Sequence, residues 1–264
     1  MGLEDSAALV TSNRHLYGQL YLMELRCPEV AANVLPGQFV HMTIPDEQAH
    51  ILRRPFSIFD RDEEAGSVEI LYQVLGAGTR AMAQWSAGMS CSMIGCIGRS
   101  WEVPFDTSRA LLVGGGVGAA PLYLLCQQLD QDGISMDVIL GAATEGALVC
   151  RRRYEETCRT PPLCSTDDGT FGRAGFATLL VEEALQRAQA EGRPYDYAAV
   201  CGPEPLMRAA SAMLLEAGVR TQVSMERRMA CGIGACLSCV VETKDGRKRA
   251  CVDGPIFDAE DILW

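Results

Sequence analysis

The chain has 264 residues, enough for one large or two ordinary domains, and its 48% apolar content supplies ample core material. Its 23 lysines and arginines stand against 34 acidic residues, a net charge of −11 that argues against nucleic acid, whose binding draws most of its affinity from a basic face, and equally against an anionic membrane surface. Twelve cysteines in a chain of this size, opening MGLEDSAALV with no basic and apolar leader, point to a reducing, cytoplasmic compartment and not to a disulfide framework, with the eight outside the C-terminal four read as free thiols.

From about Ala8 to Trp101, short apolar runs (QLYLMEL, GQFVHMTI, SVEILYQVL) alternate with Pro, Gly and acidic turns and show no long helical period. Such regularly spaced strands predict a small antiparallel barrel. Inside it, Arg53-Arg54-Pro55-Phe56-Ser57-Ile58 offers an arginine for a pyrophosphate, an aromatic ring for a flat cofactor and a hydroxyl for a ring edge. On spacing alone, a strand with two solvated arginines is the plainer reading. His15, His41 and His50 fall in this region at no ligand spacing and read as ordinary polar residues.

From about Ser108 to Val223 the texture changes to strand, helix, strand. Strands are expected at Ala110–Val113, Met136–Leu140 and Tyr197–Cys201, and helices over Ala119–Leu129, Phe176–Ala190 and Leu206–Glu216. This alternation implies a parallel sheet covered by helices on both faces. The long apolar stretch beginning at Ala110 contains three consecutive glycines and a proline, so it predicts a buried strand–loop–helix and no membrane span. The loop is Gly114-Gly115-Gly116-Val117-Gly118, which either lets the backbone approach a phosphate at the helix N-terminus or simply tightens the connection. A second turn, Cys201-Gly202-Pro203-Glu204-Pro205, ends a later strand. Ligands of open parallel sheets sit beyond the carboxyl ends of the strands, so both turns should face one crevice. Arg151, Arg152 and Arg153 offer forks for a 2′-phosphate, or mark a solvated helix start beside Glu155 and Glu156.

The last region carries Cys231, Cys236, Cys239 and Cys251, a C-x4-C-x2-C run with a fourth cysteine further on. That is the plant-type ferredoxin spacing for a [2Fe–2S] cluster. Gly232 and Gly234, without a Cβ, let the loop curl its backbone N–H groups toward a cluster sulfur. The alternative is a structural zinc site, although zinc ribbons bring two short cysteine pairs and only Cys236 and Cys239 form one here. A cluster passes one electron and nicotinamide takes two as hydride, so a chain holding both sites needs a converter. A flavin is the usual one, and the barrel is where it could bind.

Taken together, the chain resembles the electron-transfer subunits of B-type dihydroorotate dehydrogenases, within the ferredoxin–NADP reductase superfamily. The resemblance runs through PGQFV (Pro36–Val40), RPFSI (Arg54–Ile58), GAGT (Gly76–Thr79), GGGVGAAPL (Gly114–Leu122), STDDGTFG (Ser165–Gly172), CGPEPLM (Cys201–Met207), SMERRMACGIGACLSCVV (Ser224–Val241) and CVDGPIF (Cys251–Phe257). It implies a β-barrel holding FAD (1–104), an α/β domain for NAD⁺ (105–223) and a [2Fe–2S] module (224–264). FAD contacts would fall on Arg54, Pro55, Phe56 and Ser57, then on Leu71, Tyr72, Gln73, Gly78 and Thr79. Gly114, Gly115, Gly116, Gly118, Cys201, Gly202 and Pro203 would serve the coenzyme, with Cys201 beside the nicotinamide. A separate FMN-containing subunit, two copies with two of this chain, would oxidise dihydroorotate in pyrimidine biosynthesis. The chain departs from its relatives at Gln73, where they often carry arginine, and at Gly95-Cys96-Ile97-Gly98, where they read G-P-L-G. Subunits of ferredoxin–NAD(P) oxidoreductases and hydrogenase-linked diaphorases share the terminal CxDGPxF segment and stand as the alternative.

Overall fold

The computed structural model describes residues 4–45 and 51–264; His50 lies outside the described residues. In the first part of the chain, short apolar runs between Pro, Gly and acidic turns produce seven antiparallel strands. They are β1 (Glu4–Tyr17), β2 (Leu20–Arg26), β3 (Phe39–Met42), β4 (Arg54–Ser57), β5 (Asp60–Asp62), β6 (Ser67–Gln73) and β7 (Ser90–Ile97). Two short helices, α1 (Pro28–Asn33) and α2 (Ala77–Met82), interrupt them. The strand order β4-β3-β7-β1-β2-β6-β5, with β4 returning beside β6, is the expected barrel. β1 serves two neighbours: Glu4–Leu9 pairs with β7 and Leu9–Tyr17 with β2, with register breaks at Val10/Ser12 and His15/Tyr17. Such irregularities bend a strand, which lets one segment turn the barrel's corner.

The second sheet is built from β8 (Arg109–Gly115), β9 (Ser135–Ala142), β10 (Leu163–Thr166), β11 (Arg173–Ala174), β12 (Tyr197–Cys201) and β13 (Arg220–Ser224). Helices α3 (Ala120–Gln131), α4 (Arg151–Thr157), α5 (Ala177–Ala190) and α6 (Glu204–Glu216) connect them. Every residue of β8 is buried, as its unbroken apolar run requires of a central parallel strand. Beyond β13 come a hairpin, β14 (Val240–Thr243) and β15 (Gly246–Arg249), and a last strand, β16 (Ile256–Asp258). The sheet order is β11-β10-β9-β8-β12-β13-β16, all parallel except β16, which runs antiparallel to β13. The order reverses between β8 and β12, so the crevice beyond their carboxyl ends is where a ligand is expected. Among the described residues no helix is long and apolar enough to cross a membrane.

Barrel and sheet share a core in which Leu22, Phe59, Leu71 and Trp101 pack with Leu122 and Tyr123. The Trp101 indole N–H donates to the Pro121 carbonyl at 3.0 Å across this seam. Arg153 corrects one expectation: α4 does begin at the arginine run, but only Arg152, 87% exposed, is a solvated residue paired along the helix with Glu156. Arg153 reaches into the barrel and pairs with Asp60 at 2.9 Å and with Glu69. Burial pushes both of those carboxyls up, and the guanidinium offsets this by favouring their ionised forms. Arg53 corrects another. Its guanidinium is held by Asp5 at 2.8 Å and the Ser92 hydroxyl at 2.6 Å, and it donates to the carbonyls of His41 and Ser92. Of the eight cysteines outside the C-terminal four, all but the half-buried Cys96 are buried free thiols, as expected of small core residues.

Candidate functional site

The RPFS segment forms β4, at the edge of the barrel sheet and hydrogen-bonded only to β3. Leu71, Tyr72 and Gln73 end β6, and Gly78 and Thr79 lie in α2. All nine of these residues line one cleft of 1240 Å³. Drug-sized ligands occupy roughly 300–1,000 Å³, so this cleft is large enough for a dinucleotide. Its wall suits a flavin. The Arg54 guanidinium lies beside Gly78, where a Cβ would stand 3.4 Å from Nε. Phe56 meets the Tyr72 ring edge-on at 6.2 Å, and Tyr72 stacks on Tyr21 at 5.5 Å. The Tyr72 hydroxyl donates to Asn13 Oδ1 at 3.1 Å, and burial raises its pKa, so it stays a neutral donor. Thr79 Oγ1 accepts from the Leu75 and Gly76 amides at 2.9 and 3.1 Å, tying the turn to α2.

Val117, Ala120 and Pro121 contribute to the same cleft from the start of α3. The glycines around them divide into two kinds. A Cβ on Gly118 would sit 2.5 Å from the Gly202 Cα, and one on Gly115 would sit 2.5 Å from Leu206 Cδ2, so these positions let the two turns touch. Gly114 is equally confined, by Ala119. Gly116 has φ +56° and open space around it, the position in the loop where bare backbone faces outward. The tightening reading thus holds for Gly114, Gly115 and Gly118, and Gly116 is the position left open to a ligand. The structure does not bring Cys201, Gly202 or Pro203 onto the wall of the large cleft. The Cys201 thiol is fully buried in the shared core and burial raises its pKa. Arg151 stacks on Phe171 at 4.1 Å and pairs with Glu145 and Glu155.

Ser224 to Ala230, with Ser238 and Pro255, close the opposite side of the cleft. Glu226 lies there, its carboxyl pushed up by the surrounding protein. Sequence spacing gave no sign of this wall; the only pointer was the SMERRMA stretch in the family resemblance. The cysteine loop follows directly. Gly232 and Gly234 adopt φ +69° and +83°, and Leu237 enters the same left-handed region at +58° without being glycine. The Cys236 amide donates to Cys231 Sγ at 3.4 Å, and the buried Cys239 and Cys251 stand on either side of the β14–β15 hairpin. No three of them converge as a single-ion site among the described residues. The C-x4-C-x2-C spacing with its distant fourth cysteine suits a two-iron cluster better than a zinc ribbon, which brings two short cysteine pairs. Cys236 is exposed, and the adjacent Ser238 hydroxyl, with backbone N–H groups, holds its thiol down at about 6.

Two family models match the chain: "Iron-sulfur cluster binding domain of dihydroorotate dehydrogenase B" over residues 226–263 and "Oxidoreductase NAD-binding domain" over 112–212. Relatives named dihydroorotate dehydrogenase B (NAD(+)), electron transfer subunit, are 36% identical in Desulforamulus reducens, covering 92% of each chain, and 36% identical in Fusobacterium nucleatum, covering 99% of each. The chain belongs to the dihydroorotate dehydrogenase B electron-transfer subunit family. The solved structure of an NADH-dependent reduced ferredoxin–NADP oxidoreductase, studied for flavin-based electron bifurcation, superposes with a TM-score of 0.85. It is 28% identical and covers 97% of this chain and 90% of that one. The dihydroorotate dehydrogenase B family fold is therefore that of the ferredoxin–NADP reductases.

Proposed function

We propose that this chain takes electrons from an FMN-containing dihydroorotate dehydrogenase subunit and delivers them to NAD⁺, within a cytoplasmic heterotetramer of two chains of each kind. The observation that carries this reading is the shared wall of the cleft, where flavin-type residues of β4 and β6 face Ala230 and Ser238 of the cysteine loop. We divide the chain accordingly into an FAD-binding barrel (1–104), an NAD-binding domain (105–223) and a cluster module (224–264).

When bound, FAD supplies the exchange between single electrons from the [2Fe–2S] cluster and the hydride of NAD⁺. The residues of this chain hold the parts. Arg54 offers a fork to the pyrophosphate, Phe56 and Tyr72 give aromatic walls, and Ser57 a hydroxyl for the flavin edge. Cys231 and Cys236 would hold one iron, Cys239 and Cys251 the other. Gly116 presents bare backbone to the coenzyme phosphates. Arg151 and Arg153 each already face two carboxylates, and only the exposed Arg152, with its one partner Glu156, is left to meet a 2′-phosphate; this supports NAD⁺ over NADP⁺. Arg54→Ala should weaken FAD retention by about 1.5–3 kcal/mol, the worth of a charge-assisted hydrogen bond. That corresponds to roughly a 10- to 150-fold rise in Kd, read by fluorescence of released flavin. Unchanged flavin occupancy would remove Arg54 from the site.

The functional test uses the complex purified through a tag on this chain from its native cells. Dihydroorotate should drive NAD⁺ reduction, with NADP⁺ a poor substitute. The ferredoxin–NADP oxidoreductase likeness favours one second reading. If dihydroorotate is inert and reduced ferredoxin drives nicotinamide reduction, the chain serves that reaction instead.

A further inference from the structure

His41 lies at the centre of β3 with no exposed surface, and neither ring nitrogen has a hydrogen-bond partner among the described residues. An imidazole buried without partners is costly, because it gives up its bonds to water and gains none in return. The backbone around it is fully engaged. His41 pairs across the ladder with Pro55 of β4, and its carbonyl accepts from Arg53 Nη1 at 3.3 Å. Only the ring is left over, and it abuts the cysteine loop. A Cβ on Gly232 would stand 2.5 Å from His41 Nδ1, and the Arg53 and Cys231 backbones lie beside the ring without forming a well-aligned hydrogen bond to it. Gly232, at φ +69°, is thus bare both for its turn and for this ring. The imidazole sits between the strand that carries the flavin-type residues and the loop that carries the first cysteine.

We infer that His41 is a positioning residue for the iron–sulfur cluster: its ring N–H donates a hydrogen bond to a sulfur of the loaded Cys231–Cys236 loop and so couples that loop to the flavin strand. The inference rests on the reading of the four cysteines as a [2Fe–2S] site. It accounts for a buried donor with no acceptor among the described residues, since buried polar groups left unpaired by protein are matched by a ligand or a functional role. Hydrogen bonds to cluster sulfurs raise the reduction potential by stabilising the more negative, reduced state.

The test compares native chain, H41L and H41Q, each full length with its cluster reconstituted. The readouts are iron content, the EPR spectrum of the reduced cluster and its midpoint potential. H41L keeps the volume and removes the donor, so its potential should fall and its spectrum shift. H41Q restores an N–H and should return both toward native. Identical spectra and potentials in H41L and native chain would overturn the inference. Equal changes in H41L and H41Q would also overturn it, because packing and not the donor would then be responsible. Should H41L fail to fold, native chain grown on ¹⁵N-histidine answers alone. Pulsed EPR should show a histidine nitrogen coupled to the reduced cluster, and its absence would refute the bond. A native chain that holds no cluster would instead defeat the functional reading itself.

Discussion

Cys236→Ser should abolish electron passage between the partner subunit and the flavin while leaving NADH oxidation by an artificial dye near the native rate. The reasoning begins with where the thiol sits. Cys236 is exposed in its loop, so a serine there leaves no cavity in any core and the fold should survive the change. What is lost is one of four soft thiolate ligands, and a serine hydroxyl at neutral pH is a poor replacement for iron. Iron and acid-labile sulfide should drop to a small residue, and the reduced-state EPR signal with them. The dye reaction needs only the coenzyme crevice and the flavin cleft, whose lining does not include Cys236. Measuring both activities on one preparation separates the two sites. Loss of both in equal proportion would mean that the cluster chiefly supports the structure.

Asp137→Ala should cost about 3 kcal/mol of stability without touching the chemistry. Asp137 Oδ2 accepts from Arg109 at 2.9 Å and from the Tyr195 hydroxyl at 2.5 Å, and the Arg109 side chain is only 9% exposed. Removing the carboxylate strands a nearly buried guanidinium, although Glu191 and the Arg193 carbonyl remain to it. That residual pairing puts the cost at the low end for a broken buried pair. For a chain of this size the melting temperature should fall by roughly 6–12 °C. The pH dependence follows from the sign of the shift. Burial pushes the Asp137 carboxyl up, but bonds from Tyr195 and Arg109 and the nearby Arg187 charge bring it below the usual carboxylate range. A carboxylate with a lower pKa folded than unfolded contributes in full above its unfolded value of about 3.9 and loses that contribution as pH falls through the folded one. The acid limb of the stability curve should therefore be flatter in D137A. The network braces the start of β8 and β9, at the opposite end of the sheet from the glycine turns. The KM for NADH, measured well below the melting temperature, should not change; a raised KM would show that the network also shapes the coenzyme crevice.

What could be seen in the sequence was whatever repeats at short range. The β2 and β6 strands announce themselves as short apolar runs between turn residues, β8 by its unbroken apolar run, and the cysteine loop by spacing. β1 was invisible as a single strand because EDSAALVTSNRHLY changes partners midway and mixes polar residues throughout. Arg153 read as one of three equivalent arginines, since its partners Asp60 and Glu69 lie 93 and 84 residues away. His41 looked ordinary for the same reason: nothing local in GQFVHMTI says that its ring will meet Gly232. The cleft's far wall, Ser224 to Ala230, has neither periodicity nor turn chemistry to mark it.

The return of β16 to the edge of the parallel sheet has a kinetic meaning. Gln222, Val223 and Ser224 pair with Asp258, Phe257 and Ile256, so the whole cysteine-bearing excursion leaves and rejoins one rigid ladder. Electron tunnelling weakens steeply as two centres separate. A carrier tethered at one end would wander through many gaps and spend most of its time at unproductive ones. Tethered at both, it keeps a single gap to its neighbour. For a carrier so anchored, throughput should depend on how fast partners dock and nicotinamide exchanges, not on the swing of an arm.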